Sequence, residues 1–480
     1  MSSVKKNFAY QSLYQILIII LPLITAPYIA RTLGRKGVGI YSYTNTIAYY
    51  FVVFAMLGLE QYGNRCIARV RDDRKKLNKT FSELLVVHIL FSSLIVVLYG
   101  VYCFFGTGDY RSIAFIQGLY VLSSVFDINW FFFWIEKFKL TVTRNILIKV
   151  SSVVMIFCFV RSEKDLWIYC LIMSGSYLIN AVILWKFLTK YVSFISVKTE
   201  EYIKHLKPML ILFLAVIAAH VYRMIDKAML GWFDKISDLG CYEYADRLIR
   251  MPLSLITALG TVMLSKMSNL YVKKEKKQTD SILSKSALFV WFMSFALAYG
   301  MASISPEFVI VFLGKDYSDA VILVQLLAIT IPLVAWNNYV RTQMLIPLGK
   351  DMIYTKAVIA GALVNVILNL LLIKEYSAIG ATIATILSYV IVLVMQTVPL
   401  INEMEIKKYI VDMPFFFILG IIMYFIVRQV GDLMGISIIA VISEITIGVL
   451  VYSSMSIFYI VKVKRIKINE LQHVFKKKNK

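Results

Sequence analysis

The sequence predicts an all-α polytopic membrane protein of about fourteen transmembrane helices, arranged as two six-helix lobes plus two C-terminal helices. Three observations predict it. Apolar blocks match the length of a bilayer-crossing helix, basic residues concentrate in alternate connections, and short motifs recur at fixed displacements.

The first observation concerns composition and its spacing. Of 480 residues, 59% are hydrophobic and only 17% charged. Soluble chains carry about 45–50% apolar and about 25% charged residues. The apolar residues fall in blocks of about 20, the number that crosses a hydrocarbon core of about 30 Å in a helix. Backbone amides in lipid must be satisfied within the segment, so the blocks are helices rather than open strands. They lie near 10–30, 41–60, 82–105, 112–134, 146–160, 166–187, 208–230, 241–263, 285–305, 318–340, 356–373, 379–400, 413–429 and 436–461. The first opens after Lys5 and Lys6, carries Pro22 and Pro27 and has no small-residue cleavage pattern after it, so it reads as a span rather than a signal peptide. The five cysteines are scattered without a CxxC, which indicates neither a disulfide framework nor a zinc site.

The second observation gives orientation. The odd-numbered connections, 31–40, 106–111, 161–165, 232–240, 306–317, 374–378 and 430–435, hold only ten Lys or Arg even with the flanking Arg428 included. The other side carries Arg65, Arg69, Arg71, Arg74, Lys75, Lys76 and Lys79, then Lys266, Lys273, Lys274, Lys276 and Lys277, then the tail 462–480. Most of the 51 basic residues lie there. The positive-inside rule makes that side cytoplasmic, and an even number of spans puts both termini in the cytoplasm. The net charge of +22 therefore encodes orientation rather than nucleic-acid binding. The lysine run 476–478 also suits membrane lipid headgroups.

The third observation divides the chain. Gly39-Ile-Tyr41-Ser-Tyr43 recurs as Gly240-Cys-Tyr242-Glu-Tyr244. The same displacement carries Arg65 onto Lys266, and Lys75-Lys76 onto Lys276-Lys277. A second displacement carries Arg144 onto Lys356 and Ser176-Tyr177 onto Ser388-Tyr389. These matches define an N-terminal lobe 1–207, a C-terminal lobe 208–411 and an added helix pair with a basic tail, 412–480. An even number of spans separates the matched segments, which makes the repeat parallel. Such a protein is expected to bind cargo between its lobes and to rock them for alternating access.

Catalytic signatures are largely missing. The sequence has no GxxxxGK[ST], HExxH or GxSxG, and its four histidines form no ligand spacing. No connection is long enough to fold as an external catalytic domain, so an enzyme is the weaker class. No cofactor or metal site is indicated, and a coupling ion, H⁺ or Na⁺, is left open.

Charge inside the spans is more informative, because Arg or Lys at a span centre costs about 2.5–3.5 kcal/mol on insertion scales. Span seven reads His220-Val-Tyr222-Arg223-Met-Ile-Asp226-Lys227, with His220, Arg223 and Lys227 on one helical face. Span eight reads Glu243-Tyr244-Ala-Asp246-Arg247-Leu-Ile-Arg250, with Glu243, Arg247 and Arg250 sharing a face. Two readings stay open. The charges are mutual salt bridges tying the spans together, or the cations form a wall for an anionic cargo with Asp226, Glu243 and Asp246 as supporting acids. Arginine suits phosphate because its planar fork donates two bonds at once.

Glu60, Asp127, Asn129, Asn337, Asn338, Asn365 and Asn369 read as cavity-lining residues or, for most of them, as interhelical bonding groups. Arg144, Lys149 and Lys186 read as snorkelling cations, and the aromatic run 130–134 as an interfacial belt. Pro22, Pro27, Pro208, Pro252 and Pro332 are candidate bends.

The N-terminal stretch carries a resemblance. It reads Asn7-Phe-Ala-Tyr10-Gln11, then Pro22-Leu-Ile-Thr-Ala-Pro27-Tyr28-Ile-Ala-Arg31, Gly34, Gly37-Val-Gly39-Ile-Tyr41-Ser-Tyr43-Thr-Asn45 and Phe54-Ala-Met-Leu-Gly58. It closes with Tyr62-Gly63-Asn64-Arg65 and Arg71-Asp72-Asp73. This resembles the Wzx-type repeat-unit flippases of bacterial capsule and O-antigen pathways, in the multidrug/oligosaccharidyl-lipid/polysaccharide exporter superfamily. The resemblance implies a cell-membrane flippase that moves an oligosaccharide repeat unit on undecaprenyl diphosphate from the inner to the outer leaflet. It also implies association with a polysaccharide polymerase and chain-length machinery. In related flippases cationic cavity residues hold the diphosphate. The candidates here are Arg223, Lys227, Arg247, Arg250 and Arg31, of which only Arg31 lies in the matched motif. A peptidoglycan-precursor (lipid II) flippase is the nearest rival. A polysaccharide polymerase is expected to carry a large external loop that this chain lacks, a drug antiporter would favour acidic cavity residues, and an exporter permease would need a separate ATPase.

Overall fold

Each apolar block predicted from the sequence falls mainly on helix in the computed structural model, which describes residues 2–106, 108–134 and 138–464. The helices are α1 (Ser2–Met56), α2 (Leu59–Val70), α3 (Arg74–Phe105), α4 (Arg111–Val125), α5 (Asn129–Trp134) and α6 (Phe138–Phe159). They continue as α7 (Leu166–Ile183), α8 (Trp185–Leu188), α9 (Thr199–Ile203), α10 (Leu206–Trp232), α11 (Ile236–Val272) and α12 (Lys276–Leu313). The rest are α13 (Ala320–Ala328), α14 (Thr330–Val340), α15 (Asp351–Thr397), α16 (Ile406–Ile410), α17 (Met413–Met434) and α18 (Ile438–Phe458). Among the described residues there is no strand, and ten helical stretches are long and apolar enough to cross a membrane. The chain is a multi-pass membrane protein. The tail beyond residue 464, with its lysine run, and the side chains of motif residues 7–11 lie outside what is described.

The burial pattern explains why these helices need lipid. Along α3 the large side chains of Leu90, Leu94, Val97, Val101 and Phe104 are exposed, while Ser92, Ile95, Tyr99 and Cys103 are buried. On α18, Ile438, Ile442, Ile445 and Val449 face outward, whereas Glu444, Gly448, Tyr452 and Ser456 are buried. The apolar stripe at helical spacing points away from the protein, and the small and polar residues pack helix on helix. That inversion suits a hydrocarbon solvent.

Two connections are tighter than helix boundaries suggest. α1 spans two predicted segments and turns at Gly34, whose φ of 64° and ψ of 174° are open to glycine at no steric cost. α15 likewise turns at Ser377, at φ 50° and ψ −129°. After that turn the chain passes so close that a Cβ on Gly380 would lie 2.4 Å from the Leu372 carbonyl oxygen. The fourth predicted span is broken between Val125 and Asn129. α11 and α12 run well past the predicted spans on the basic side, separated by only Lys273–Glu275, because Lys and Gln there are good helix formers.

The contacts group the chain into two compact units, Met1–Gly240 and Cys241–Lys480. In the first, α1 packs against α3, α4, α6 and α10. Here the structure corrects the aromatic run. Trp130, Phe131 and Phe132 are buried rather than at a lipid interface. Trp130 stacks on Phe81 with centroids 5.6 Å apart, and Gly63 on α2 lies so close that a Cβ there would sit 2.9 Å from its ring. The break before α5 turns the run inward, under the amphipathic α2. α3 is capped by Asp73, whose Oδ1 accepts from the amides of Lys75 (3.0 Å) and Lys76 (3.2 Å).

Gly39 and Gly240 make reciprocal close approaches within this unit. A Cβ on Gly39 would lie 1.9 Å from the Ile236 carbonyl oxygen, and one on Gly240 would lie 2.0 Å from that of Arg35. In the second unit α12 is the hub, packing against α13, α14, α17 and α18. Trp291 stacks on Trp336 at 4.8 Å, and their indole N–H groups donate to Tyr409 O (2.9 Å) and Thr397 Oγ1 (3.0 Å). Gly420 and Gly448 let α17 and α18 close on their neighbours.

Candidate functional site

The charged residues singled out in the sequence sit on α10 and α11. On α10, Arg223 is exposed, and Asp226 and Lys227 are buried. His220 meets the hydroxyl of Tyr49 from α1 through Nδ1, so α10 is fastened to α1 one turn before Arg223. The face expected to carry His220, Arg223 and Lys227 together is thus graded, from open at Arg223 to closed at Lys227. Arg31, on α1, is exposed.

On α11 the charges pair one turn apart. Arg247 Nη2 donates to Glu243 Oε1 at 2.8 Å, and its guanidinium also lies 5.5 Å from the Tyr244 ring centroid. Arg250 Nε donates to Asp246 Oδ1 at 2.6 Å. In each pair the acid is the more enclosed member. Glu243 and Asp246 side chains are 13% and 10% exposed, against 34% and 39% for Arg247 and Arg250. The arginines are therefore the open ends of the pairs. A guanidinium presents its N–H donors in a planar fork, a geometry that suits carboxylate and phosphate alike.

The softer polar residues mostly bond between helices or turns. Asn337 Nδ2 donates to Tyr389 O (3.2 Å), Asn369 Nδ2 to Asn365 Oδ1 (3.2 Å), and Arg341 Nη2 to Asn338 Oδ1 (2.9 Å). Arg144 does not snorkel. It is buried, with Nη2 on Asn129 Oδ1 and Nη1 on Asn180 O, both at 2.8 Å. Its position near a predicted span end suggested water, but the break before α5 brings Asn129 to it. Lys149 and Lys186 are exposed.

Two buried clusters were not found by reading spans singly. Glu83 Oε2 accepts from His205 Nε2 (2.7 Å) and Lys204 Nζ (3.0 Å), leaving His205 Nδ1 to accept from Tyr62 OH (2.8 Å). In the second unit Arg428 bridges Glu307, Asp432 and Glu444. The partners come from distant parts of the chain, and only the acidic residue within an apolar run was a visible signal.

Comparison with known proteins adds identity to this geometry. The family model described as "Polysaccharide biosynthesis protein" matches residues 4–271. The chain belongs to that family. It is 23% identical over 375 residues to a protein provisionally named an O-antigen transporter from Shigella dysenteriae, covering 77% of this chain and 93% of the relative. It is 24% identical over 244 residues to a protein named, with similar reserve, a low-salt glycan biosynthesis flippase from Haloferax volcanii, covering 51% and 52%. Among solved structures, the lipid II flippase MurJ in an inward closed conformation matches with a TM-score of 0.75 at 16% identity, over 93% of this chain and 98% of that one. An inward-facing multidrug resistance transporter of the MATE family, in the MOP superfamily, matches with a TM-score of 0.57 at 13% identity, over 80% and 98%. The polytopic fold is thus shared with this superfamily, as the N-terminal motif led one to expect.

Proposed function

We propose that this protein is a flippase that moves undecaprenyl-diphosphate-linked oligosaccharide repeat units from the inner to the outer leaflet of the bacterial cytoplasmic membrane, for capsule or O-antigen assembly. The observation that carries the reading is the match to a protein provisionally named an O-antigen transporter, over 93% of that protein's length, in a chain of the polysaccharide biosynthesis family. The charge pattern supports it. Arg223, Arg247 and Arg250, with Lys227 and Arg31, hold the diphosphate, while Asp226, Glu243 and Asp246 set the arginine geometry. An anion leaving an inside-negative cell gains about 2.3 kcal/mol per charge per 100 mV, so the membrane potential assists the step. The reading includes two six-helix lobes in parallel repeat, both termini cytoplasmic, alternating access and association with a polymerase and chain-length machinery. The recurrence of Gly39-Ile-Tyr41-Ser-Tyr43 as Gly240-Cys-Tyr242-Glu-Tyr244 supports the two-lobe plan.

Deletion of the gene followed by extraction of lipid-linked sugars tests the reading. Complete repeat units accumulating on the inner leaflet are expected. Flipped but unpolymerised units would point to a polymerase instead. The MurJ-like fold favours lipid II as the second candidate cargo. Rescue of a lipid II flippase depletion by this chain, with surface polysaccharide unaffected by its deletion, would select that alternative.

A further inference from the structure

The cluster on α12, α17 and α18 holds more acid than base. Arg428 Nη1 donates to Glu307 Oε2 at 2.6 Å and to Ser303 O at 3.1 Å, and its Nη2 reaches Asp432 on the same helix. Glu444 is completely buried, yet neither carboxylate oxygen accepts a hydrogen bond. Its nearest approach to a cation is 3.6 Å, from Oε1 to Arg428 Nη1. Gly431 provides the notch into which these groups converge. A Cβ there would lie 2.1 Å from Glu444 Oε1, 2.9 Å from Glu307 Oε1 and 3.1 Å from Arg428 Nη1.

From α12, Glu307 faces Glu444; from α17, Arg428 and the largely exposed Asp432 complete its charged surroundings. Two enclosed carboxylates thus share one guanidinium that also serves Asp432. A second ionised carboxylate in that space has no counter-charge of its own. Burying such a charge is costly enough that the group takes a proton instead, and close carboxylates divide one proton between them.

We infer that Glu307 and Glu444, gathered at Gly431, form a proton-binding site in the membrane domain. A metal cation fits the same point poorly, because Arg428 Nη1 borders the notch nearly as closely as the carboxylates do. A proton neutralises one carboxyl without placing a charge beside that guanidinium. The site stands whichever cargo the protein carries, and it gives the chain a group that can be loaded and unloaded near the α17–α18 turn.

The test uses dicyclohexylcarbodiimide, an apolar reagent that modifies carboxyls in their protonated form, on the full-length purified chain with mass-spectrometric mapping. Glu444 is expected to be modified at neutral pH, with labelling falling as pH rises, while exposed Asp432 stays unmodified. Glu307→Gln removes the second acid, so Glu444 is left matched to Arg428 and its labelling is expected to fall severalfold. Absence of labelling at Glu444 in the unsubstituted protein overturns the proposal without relying on any variant. Protection by sodium chloride but not by potassium chloride overturns it in favour of a sodium site, and unchanged Glu444 labelling in a folded Glu307→Gln variant overturns the sharing of the proton.

Discussion

On α11 the carboxylates of Glu243 and Asp246 each meet an arginine one turn further along the same helix, whereas Arg428 collects carboxylates from three helices. The residue types are the same and the consequences differ. A pair at i,i+4 needs only its own helix, and its arginines stay partly open to water while the acids are enclosed. The Arg428 cluster needs α12, α17 and α18 assembled, and assembly removes its acids from water. The first arrangement can present cations to an anion. The second ties helices together and retains an excess carboxyl. Counting charges along the sequence does not separate these cases; the helix of the partner and the exposure of each member do.

Substitutions can break the comparison where it is strongest. Arg428→Met leaves Glu307 and Glu444 without their counter-charge, and removing one partner of a buried pair costs about 3–5 kcal/mol. A large drop in the thermal midpoint of the detergent-purified protein is expected, and an unchanged midpoint would falsify the central role of Arg428. Gly431→Ala drives a methyl group into the same convergence and is expected to lose about 1–3 kcal/mol by overpacking, read from the same melts. Arg247→Gln and Arg250→Gln each leave an enclosed carboxylate without its charged partner and should cost about 1–3 kcal/mol, less than Arg428→Met because these arginines are themselves partly open to water. Both are expected to abolish polysaccharide export at normal protein levels; loss of the protein instead would mean that the α11 pairs are structural after all.

The smallest effect is expected at Asp73. The backbone N–H of Lys76 holds its carboxyl below the usual carboxylate range. Its contribution to the first turn of α3 is therefore present at neutral pH and lost as pH falls through the folded value. Asp73→Asn keeps a capping oxygen that does not titrate, so the protection of the Lys75 and Lys76 amides, measured relative to their intrinsic exchange rates, should no longer fall in acid and otherwise hardly change.

Much of the fold was legible because lipid imposes a length and a polarity on each segment. The connections placed at 31–40 and 374–378 contain both tight turns, at Gly34 and Ser377. The aromatic run at Trp130 was misread, since a ring near a span end has the same sequence signature whether it meets headgroups or the face of α2. Arg144 was misread for a related reason, its partner Asn129 being delivered by a break in the chain rather than by helical spacing. The α11 pairs were legible from i,i+4 spacing alone. Glu307 and Glu444 were not, because nothing in a single span records which distant helix will lie beside it.

Ser377 offers a practical consequence. It occupies a positive-φ turn position, φ 50° and ψ −129°, that glycine adopts freely and a residue with a Cβ adopts only under strain. Such strain costs about 1–3 kcal/mol, more than the extra chain entropy that glycine brings to the unfolded state. Ser377→Gly is expected to raise the melting temperature by a few degrees while leaving polysaccharide export intact. One atom group removed at a hairpin turn would then give a sturdier protein for purification and for trapping cargo complexes.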